Sequence, residues 1–168
     1  MLQQVLWTPH VGSPVTLNTV DGSGRHLYPL HTFDIVALTD TPSPAKRMAY
    51  PGEWPKFHYA SAQQITAEGS ILGIGADDAA RSVSYITQRL ALLDAITPPV
   101  QALTGRTHGT LRVQFDGMAE AAEVECVTAS RQVPLQALFA ANSEFMILWK
   151  AFEPYFTGVS TSTKYYFG

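Results

Sequence analysis

The sequence predicts an α+β fold in which one α-helix packs on an antiparallel β-sandwich, with a long loop or hairpin in addition. Only residues 77–96 combine helical periodicity with recognisable start and stop signals. Most other segments alternate apolar and polar residues, as half-buried strands do. Many strands with a single helix favour an antiparallel arrangement, because parallel sheets need a helix between most strands.

The predicted helix has clear signals at both ends. Asp77 or Asp78 can cap its first turn, since a carboxylate accepts hydrogen bonds from free amides and favours the positive end of the helix dipole. The sequence Thr97-Pro98-Pro99 ends the helix, because proline has no amide hydrogen and disfavours helix in the residue before it.

One apolar stripe of this helix is expected to face the core. Its members recur at spacings of three and four residues: Val83, Ile86, Leu90 and Leu93. If the stripe is buried, Leu90→Asp places an unpaired charge in the core and costs several kcal/mol. Gln88→Asp, off the stripe, is expected to cost far less.

Extended segments are predicted on both sides of the helix. They cover residues 14–20, 27–38, 64–72, 110–115, 122–131, 143–152 and 163–167, the last as a strand or a tail. Pro29 places the second segment at a sheet edge or bend, because proline removes a ladder donor. Apolar residues on both sides of 143–152 predict a central strand that is covered on both faces.

Residues 39–62 form the most unusual stretch of the chain. The stretch contains four prolines and four aromatic residues, Tyr50, Trp54, Phe57 and Tyr59. A loop of this length is usually functional or disordered, and the aromatic residues favour a loop that docks on something. We expect these four residues to contact a neighbouring subunit. The alternatives are that these residues pack on their own domain or that, with the basic residues nearby, they bind nucleic acid.

Length and composition restrict the choice of function. The 168 residues predict a single domain over 1–158 and a short C-terminal extension over 159–168. A net charge of −3 argues against a nucleic-acid or anionic-membrane partner. Only 15% of residues are charged, against about 25% in typical domains, so partners are expected to cover part of the surface. No secretion signal and no membrane span is expected.

No catalytic, cofactor or metal site is expected from the residue patterns. Gly73 and Gly75 imitate a dinucleotide-binding turn, but Asp77 and Asp78 place negative charge where pyrophosphate would lie. A glycine-bearing turn before a capped helix explains the same residues. The five histidines show no metal-ligand spacing.

Two other chemical interpretations are also disfavoured. Cys126 lies in a strand pattern, where it is expected to be a buried small residue, and the flanking glutamates would raise its pKa. Glu123 and Glu125 share one strand face and are formally a carboxylate pair for glycoside hydrolysis. Glutamates on a solvated strand face are common, so the structural interpretation is preferred.

The order of motifs between Ile65 and Gly158 resembles a known family. A glycine-containing strand (Ile65 to Ile71) precedes the capped helix, and Gly109-Thr-Leu-Arg-Val and a strand ending in Arg131-Gln-Val-Pro134 follow. An aromatic strand then closes with Glu153-Pro154-Tyr155-Phe156. This order, over a little more than half the chain, resembles the N-terminal domain of distal tail proteins of long-tailed bacteriophages.

The resemblance implies a structural subunit without enzymatic activity. Family members form a ring, usually hexameric, where the tail tube meets the tip, and the ring serves as a hub for tip proteins and lets DNA pass. The implied partners are further copies of the chain, the tail-tube protein and tip proteins, and the implied location is the virion, assembled in the host cytoplasm. Many members continue into a second, carbohydrate-binding-like β domain, which has no counterpart in this sequence.

Three glutamates are candidates to face the DNA channel. Weak or negative lining charge lets a polyanion pass, whereas clustered Lys and Arg would bind its phosphates. Glu120, Glu123 and Glu125 lie on or near one predicted strand, and exposure to bulk solvent is the alternative for them. The rival assignments for the whole chain are a tail-tube or tail-completion subunit, a stand-alone binding module and, last, an enzyme.

Overall fold

A computed structural model of the chain describes residues 1–22, 24–40, 59–97, 108–135 and 141–167. The elements are β1 Leu2–Thr8, β2 Val15–Leu17, β3 Thr19–Val20, β4 His26–Leu27, β5 Leu30–Asp40, β6 Tyr59–Leu72, α1 Asp78–Ile96, β7 Gly109–Phe115, β8 Ala122–Gln132, β9 Asn142–Ala151, β10 Phe156–Gly158 and β11 Lys164–Tyr165. The predicted fold class is confirmed: the described residues form a sandwich-like α+β fold of antiparallel strands with one helix.

Nine strands form one hydrogen-bonded sheet. Its main path runs β2-β1-β7-β8-β9-β6-β5, while β10 and β11 attach beside β8, and β3 and β4 form a separate hairpin. All the pairings are antiparallel. β5 pairs with β6 over its whole length and ends the strand order of the described residues, so the edge position, one of the two alternatives predicted from Pro29, is confirmed.

The sheet curls until distant strands face each other. Trp7 of β1 and Trp149 of β9 are three positions apart in the strand order, yet their ring centroids are 5.8 Å apart. Phe33 of β5 and Phe115 of β7 are four positions apart and approach to 6.4 Å. In a flat sheet the backbones of such strands would be separated by about 14 to 19 Å. The concave side of the sheet therefore encloses the core.

Asn18 joins the two ends of the strand order. Its backbone N–H donates to Tyr28 O at 3.0 Å, and its side-chain amide nitrogen donates to Leu2 O at 3.1 Å. Its amide oxygen accepts from Leu30 N, at the start of β5, at 3.4 Å. Asn18 has a φ of 56°, a left-handed conformation that asparagine tolerates better than most residues. One side chain thus links the β2 end of the sheet to the β5 end.

The ends of the helix are as the sequence predicts. Asp77 is the N-cap, and its Oδ1 accepts from Ala80 N at 2.7 Å. Thr97 is the C-cap, directly before the first proline. Gly73 and Gly75 lie so close to Arg81 and Ala80 in the first turns that a Cβ on either glycine would clash. These glycines therefore allow the chain to turn tightly into the helix.

The predicted orientation of the helix is wrong. Val83, Ile86 and Leu90 are 66%, 52% and 58% exposed, and Leu93 is half-buried. The residues that pack on the sheet are Tyr85, Leu92, Ala95 and Ile96. The expected ranking of Leu90→Asp above Gln88→Asp is therefore wrong too, because Leu90 faces outward while Gln88 is half-buried.

Several strand predictions need correction. β1 and β10 were not predicted, although Val5 and Trp7 of β1 belong to the core. β9 is central, but only one of its faces is covered by the described residues, since Met146 and Leu148 remain half-exposed. The ends of the predicted 39–62 loop belong to β5 and β6, which are therefore longer than expected.

The C-terminal residues that were assigned to an extension pack on the domain. β11, which lies inside the 159–168 segment, pairs with β10, which lies before it. The ring of Phe167 lies 5.2 Å from the rings of both Phe115 and Phe156. Tyr165 and Phe167 therefore pack against the same core.

Candidate assembly surface

The outward face of α1 carries the large apolar side chains of the helix that are exposed to solvent. Val83, Ile86 and Leu90 are exposed on adjacent turns, and the small side chains of Ala79 and Ala91 extend the same face. Among the exposed side chains between these two alanines, Arg81 alone is charged, and it lies two positions from Val83 and so on a different side of the helix. Contiguous apolar patches on soluble proteins mark interaction sites more often than isolated apolar residues do.

The inward face of α1 is held by polar side chains as well as by packing. Trp7 Nε1 donates to Ala95 O at 2.7 Å, and Tyr28 Oη donates to Gln88 O at 2.8 Å. Arg131 Nη1 donates to Ile96 O at 3.3 Å, which places a positive charge at the negative end of the helix dipole. These three donors from the strand region fix which face of the helix is turned inward.

Burial raises the pKa of the Tyr28 phenol to about 12. The phenol therefore stays protonated, and remains a donor to the helix, well above its ordinary pKa of 10.0. Arg89 adds a fourth contact on the flank of the helix, because its Nη2 donates to Val133 O at 2.8 Å.

The predicted aromatic interface falls mostly outside the described residues. Tyr50, Trp54 and Phe57 lie in residues 41–58, which are not described. Tyr59 is the first residue of β6, where it pairs with Asp40 of β5. Their contact with a neighbouring subunit stays a prediction.

The three glutamates expected at the channel differ in their surroundings. Glu120 accepts hydrogen bonds from the backbone N–H groups of Ser160 and Thr161, at 2.6 and 3.2 Å, and from the Thr161 hydroxyl. These hydrogen bonds lower the pKa of the Glu120 carboxyl, and the bond from the Thr161 hydroxyl has the largest effect. Glu123 pairs with Arg112 at 3.0 Å, whereas Glu125 is exposed. Their predicted position at a channel is not tested by these contacts.

One serine–histidine contact lies outside the predicted features. His31 Nε2 and Ser70 Oγ are 2.6 Å apart, beside an open cavity of about 480 Å³ that Glu68 and Glu144 also line. The Ser70 backbone N–H donates to Pro29 O. It is therefore not free to stabilise the oxyanion of an intermediate that the Ser70 hydroxyl would form. No hydrogen bond among the described residues orients His31 through a carboxylate. The pair therefore lacks the partners of a nucleophilic site.

Cys126 is fully buried, and burial raises the pKa of its thiol above the ordinary value. A protonated, inaccessible thiol is a poor nucleophile. Within the described ranges, no group of three or more His, Cys, Asp or Glu side chains is arranged to hold a metal ion.

A basic cavity lies where the chain enters α1. Arg25, His26 and Arg81 line an open space of about 290 Å³ together with the 72–75 turn. Arg81 makes a 3.5 Å ion pair with Asp78, whose side chain is fully exposed, while Arg25 forms no ion pair among the described residues. No sequence pattern predicts this group, because its residues come from separate segments.

An acidic cavity lies at the other end of strands β6 and β9. Its open space of about 380 Å³ is lined by three carboxylates, Glu123, Glu125 and Glu153, and by the exposed ring of Phe152. Arg112 neutralises Glu123. Lys164 lies over the ring of Tyr155 at 4.0 Å and near Glu153, without lining the cavity.

Comparison with models of known families and with curated proteins found no match to the chain. Among the described residues, no helix is both long enough and apolar enough to cross a membrane.

Proposed function

We propose that the chain is a structural subunit of a bacteriophage tail. Copies of it form a ring, hexameric in the related family, at the distal end of the tail tube. The ring serves as a hub for tail-tip proteins and lets DNA pass, and the chain itself performs no chemistry. The motif order between Ile65 and Gly158 suggests the family, and the surface of the helix suggests assembly.

The observation that carries the assembly role is the outward apolar face of α1. A helix on a monomer normally turns its most apolar face to its own core. Here Val83, Ile86 and Leu90 face away from the sheet, while Gln88 and Arg89 are half-buried against it. A second protein surface over this face would remove the apolar side chains from water, at roughly 25 cal/mol for each Å² buried. The low charge content of the chain agrees with such a partner.

The test compares assembly of the wild type with that of Ile86→Asp combined with Leu90→Asp. We expect the wild type to form closed rings, alone or with tail-tube and tip proteins, and the double variant to remain monomeric with its fold intact. Val36→Asp is the matched control, because Val36 is 47% exposed on a strand away from α1. Light scattering gives the mass, and electron microscopy separates single rings from tube-like stacks.

Two results would count against the proposal. If the wild-type protein stays monomeric at high concentration and never joins a tail particle, the proposed ring role is wrong. If the double variant assembles like the wild type, the outward face of α1 is not part of the interface. Stacks instead of single rings would favour the tail-tube alternative.

A further inference from the structure

The basic and acidic cavities lie at opposite ends of the same two strands. The basic cavity adjoins Leu72, which pairs with Asn142 at the start of β9. The acidic cavity adjoins Phe152, directly after the end of β9 at Ala151. The intervening part of β9 is about 30 Å long, from a rise of ~3.4 Å per residue. The two charged surfaces therefore cannot neutralise each other within one chain.

We propose that the basic cavity of one copy receives the acidic cavity surface of the next copy, in a head-to-tail contact. Arg25 and Arg81 then face Glu125 and Glu153 of the neighbouring copy. A contact between two different surfaces of the same chain repeats from copy to copy and closes into a ring when the rotation allows it. The inference rests on the proposed ring function and assigns Glu125 to this contact instead of the channel.

Two of the four charges, Arg25 and Glu125, have no ion pair among the described residues, whereas Glu153 lies near Lys164. Glu125 is exposed and takes part in no ion pair among the described residues. Lys150 is the basic residue on the neighbouring strand, where it pairs with Val127.

Beside the basic cavity, Arg81 pairs with the exposed Asp78. Asp77 caps the helix, and Asp21 accepts from the backbone N–H of Arg25. Opposite charges on two surfaces steer association and fix its register.

Each charged surface also carries apolar area beside it. Val83 is two positions after Arg81 and therefore on a different side of α1, so the outward apolar face lies near the basic cavity without being continuous with it. Phe152 lies in the acidic cavity surface and is 45% exposed. A specific interface needs about 800 Å² from each partner, more than the ion pairs alone supply. The helix face next to one cavity and Phe152 at the other provide apolar surface for it.

A reciprocal charge exchange tests the contact. Variant A carries Arg25→Glu and Arg81→Glu, and variant B carries Glu125→Lys and Glu153→Lys. Each variant alone opposes like charges at every contact, so we expect the association constant to fall about ten-fold or more for either one. In an equimolar mixture every contact of an alternating A–B chain is complementary, so we expect assembly to return. Such a ring closes only with an even number of subunits, and a hexamer meets this condition.

Native mass spectrometry and sedimentation velocity measure the assemblies, and circular dichroism checks that each variant is folded. If Arg81→Glu disturbs the helix start, Arg25→Glu alone replaces variant A, since the Arg25 side chain has no ion pair with any residue that the structure describes. Asp34→Lys with Glu68→Lys is the control for B, because it changes the charge equally on exposed positions outside both cavities. This control is expected to assemble like the wild type.

The outcomes separate the contact from the proposed function. Loss of assembly in A with wild-type behaviour in B overturns the head-to-tail contact, because the acidic surface would then belong to a different protein or the contact would be two-fold. A mixture that assembles no better than its components overturns it too, even if the wild type forms tail rings. If mixing A and B restores assembly but the protein never joins tail particles, the head-to-tail contact is supported and the proposed tail function is contradicted.

Discussion

The two faces of α1 both carry apolar side chains but have opposite environments. The inward face packs Tyr85, Leu92 and Ile96 against the sheet and is tied to it by hydrogen bonds to helix carbonyl oxygens. The outward face leaves Ile86 and Leu90 in solvent. An apolar stripe therefore shows where a helix can bury surface, but it does not show which protein surface covers that stripe. On this helix one face belongs to the fold and the other to the proposed assembly.

The largest expected effect contrasts two leucines that are two positions apart in the sequence. Leu92→Asp places a charge at a fully buried position and is expected to reduce the free energy of unfolding by on the order of 4 kcal/mol or more. Leu90→Asp changes an exposed position and should alter it by no more than about 0.5 kcal/mol. Urea denaturation of the monomeric proteins measures both. Equal losses for the two variants would contradict the observed orientation.

The second prediction concerns the contact between Trp7 and the last turn of the helix. Trp7→Phe removes the donor to Ala95 O and leaves a small cavity beside Trp149. We expect a loss of roughly 2 to 4 kcal/mol in the free energy of unfolding. The control is Thr87→Ser, a small change at an exposed position of the helix, which should cost far less. A Trp7→Phe protein as stable as the wild type would show that this hydrogen bond does not fix the helix.

The smallest expected effect concerns Tyr28 and alkaline pH. Tyr28→Phe removes the hydrogen bond to Gln88 O and should cost about 1 kcal/mol near neutral pH. In the wild type the folded-state pKa is raised from 10.0 to about 12, so the folded protein holds this proton more tightly than the unfolded chain does. The contribution of the phenol is therefore complete below pH 10 and is lost as the pH rises toward 12.

Thermal unfolding at a series of pH values from 8 to 12 checks this sign. The melting temperature of the wild type should fall more steeply above pH 10 than that of Tyr28→Phe. Parallel curves for the two proteins would show that Tyr28 does not titrate differently in the folded and unfolded states.

Local sequence signals were sufficient for most elements. Asp77 and the prolines after Thr97 defined the helix ends correctly, because capping and chain termination depend on neighbouring residues. The alternation in β6, β7 and β8 predicted which side of each strand is buried. β1 was missed because its short alternation of Val5 and Trp7 is interrupted by Leu6, and its pairing with β7 joins residues about a hundred positions apart.

The sequence by itself determined the fold class, the helix limits and the edge position of β5, since periodicity, caps and proline act over a few residues. Only the tertiary structure decided which face of α1 is buried. The donors that select it, on Trp7, Tyr28 and Arg131, come from three separate segments, and no local pattern predicts where they meet the helix. The two charged cavities likewise exist only after folding, because the sheet brings together residues that are far apart in the chain and holds the opposite charges at its two ends.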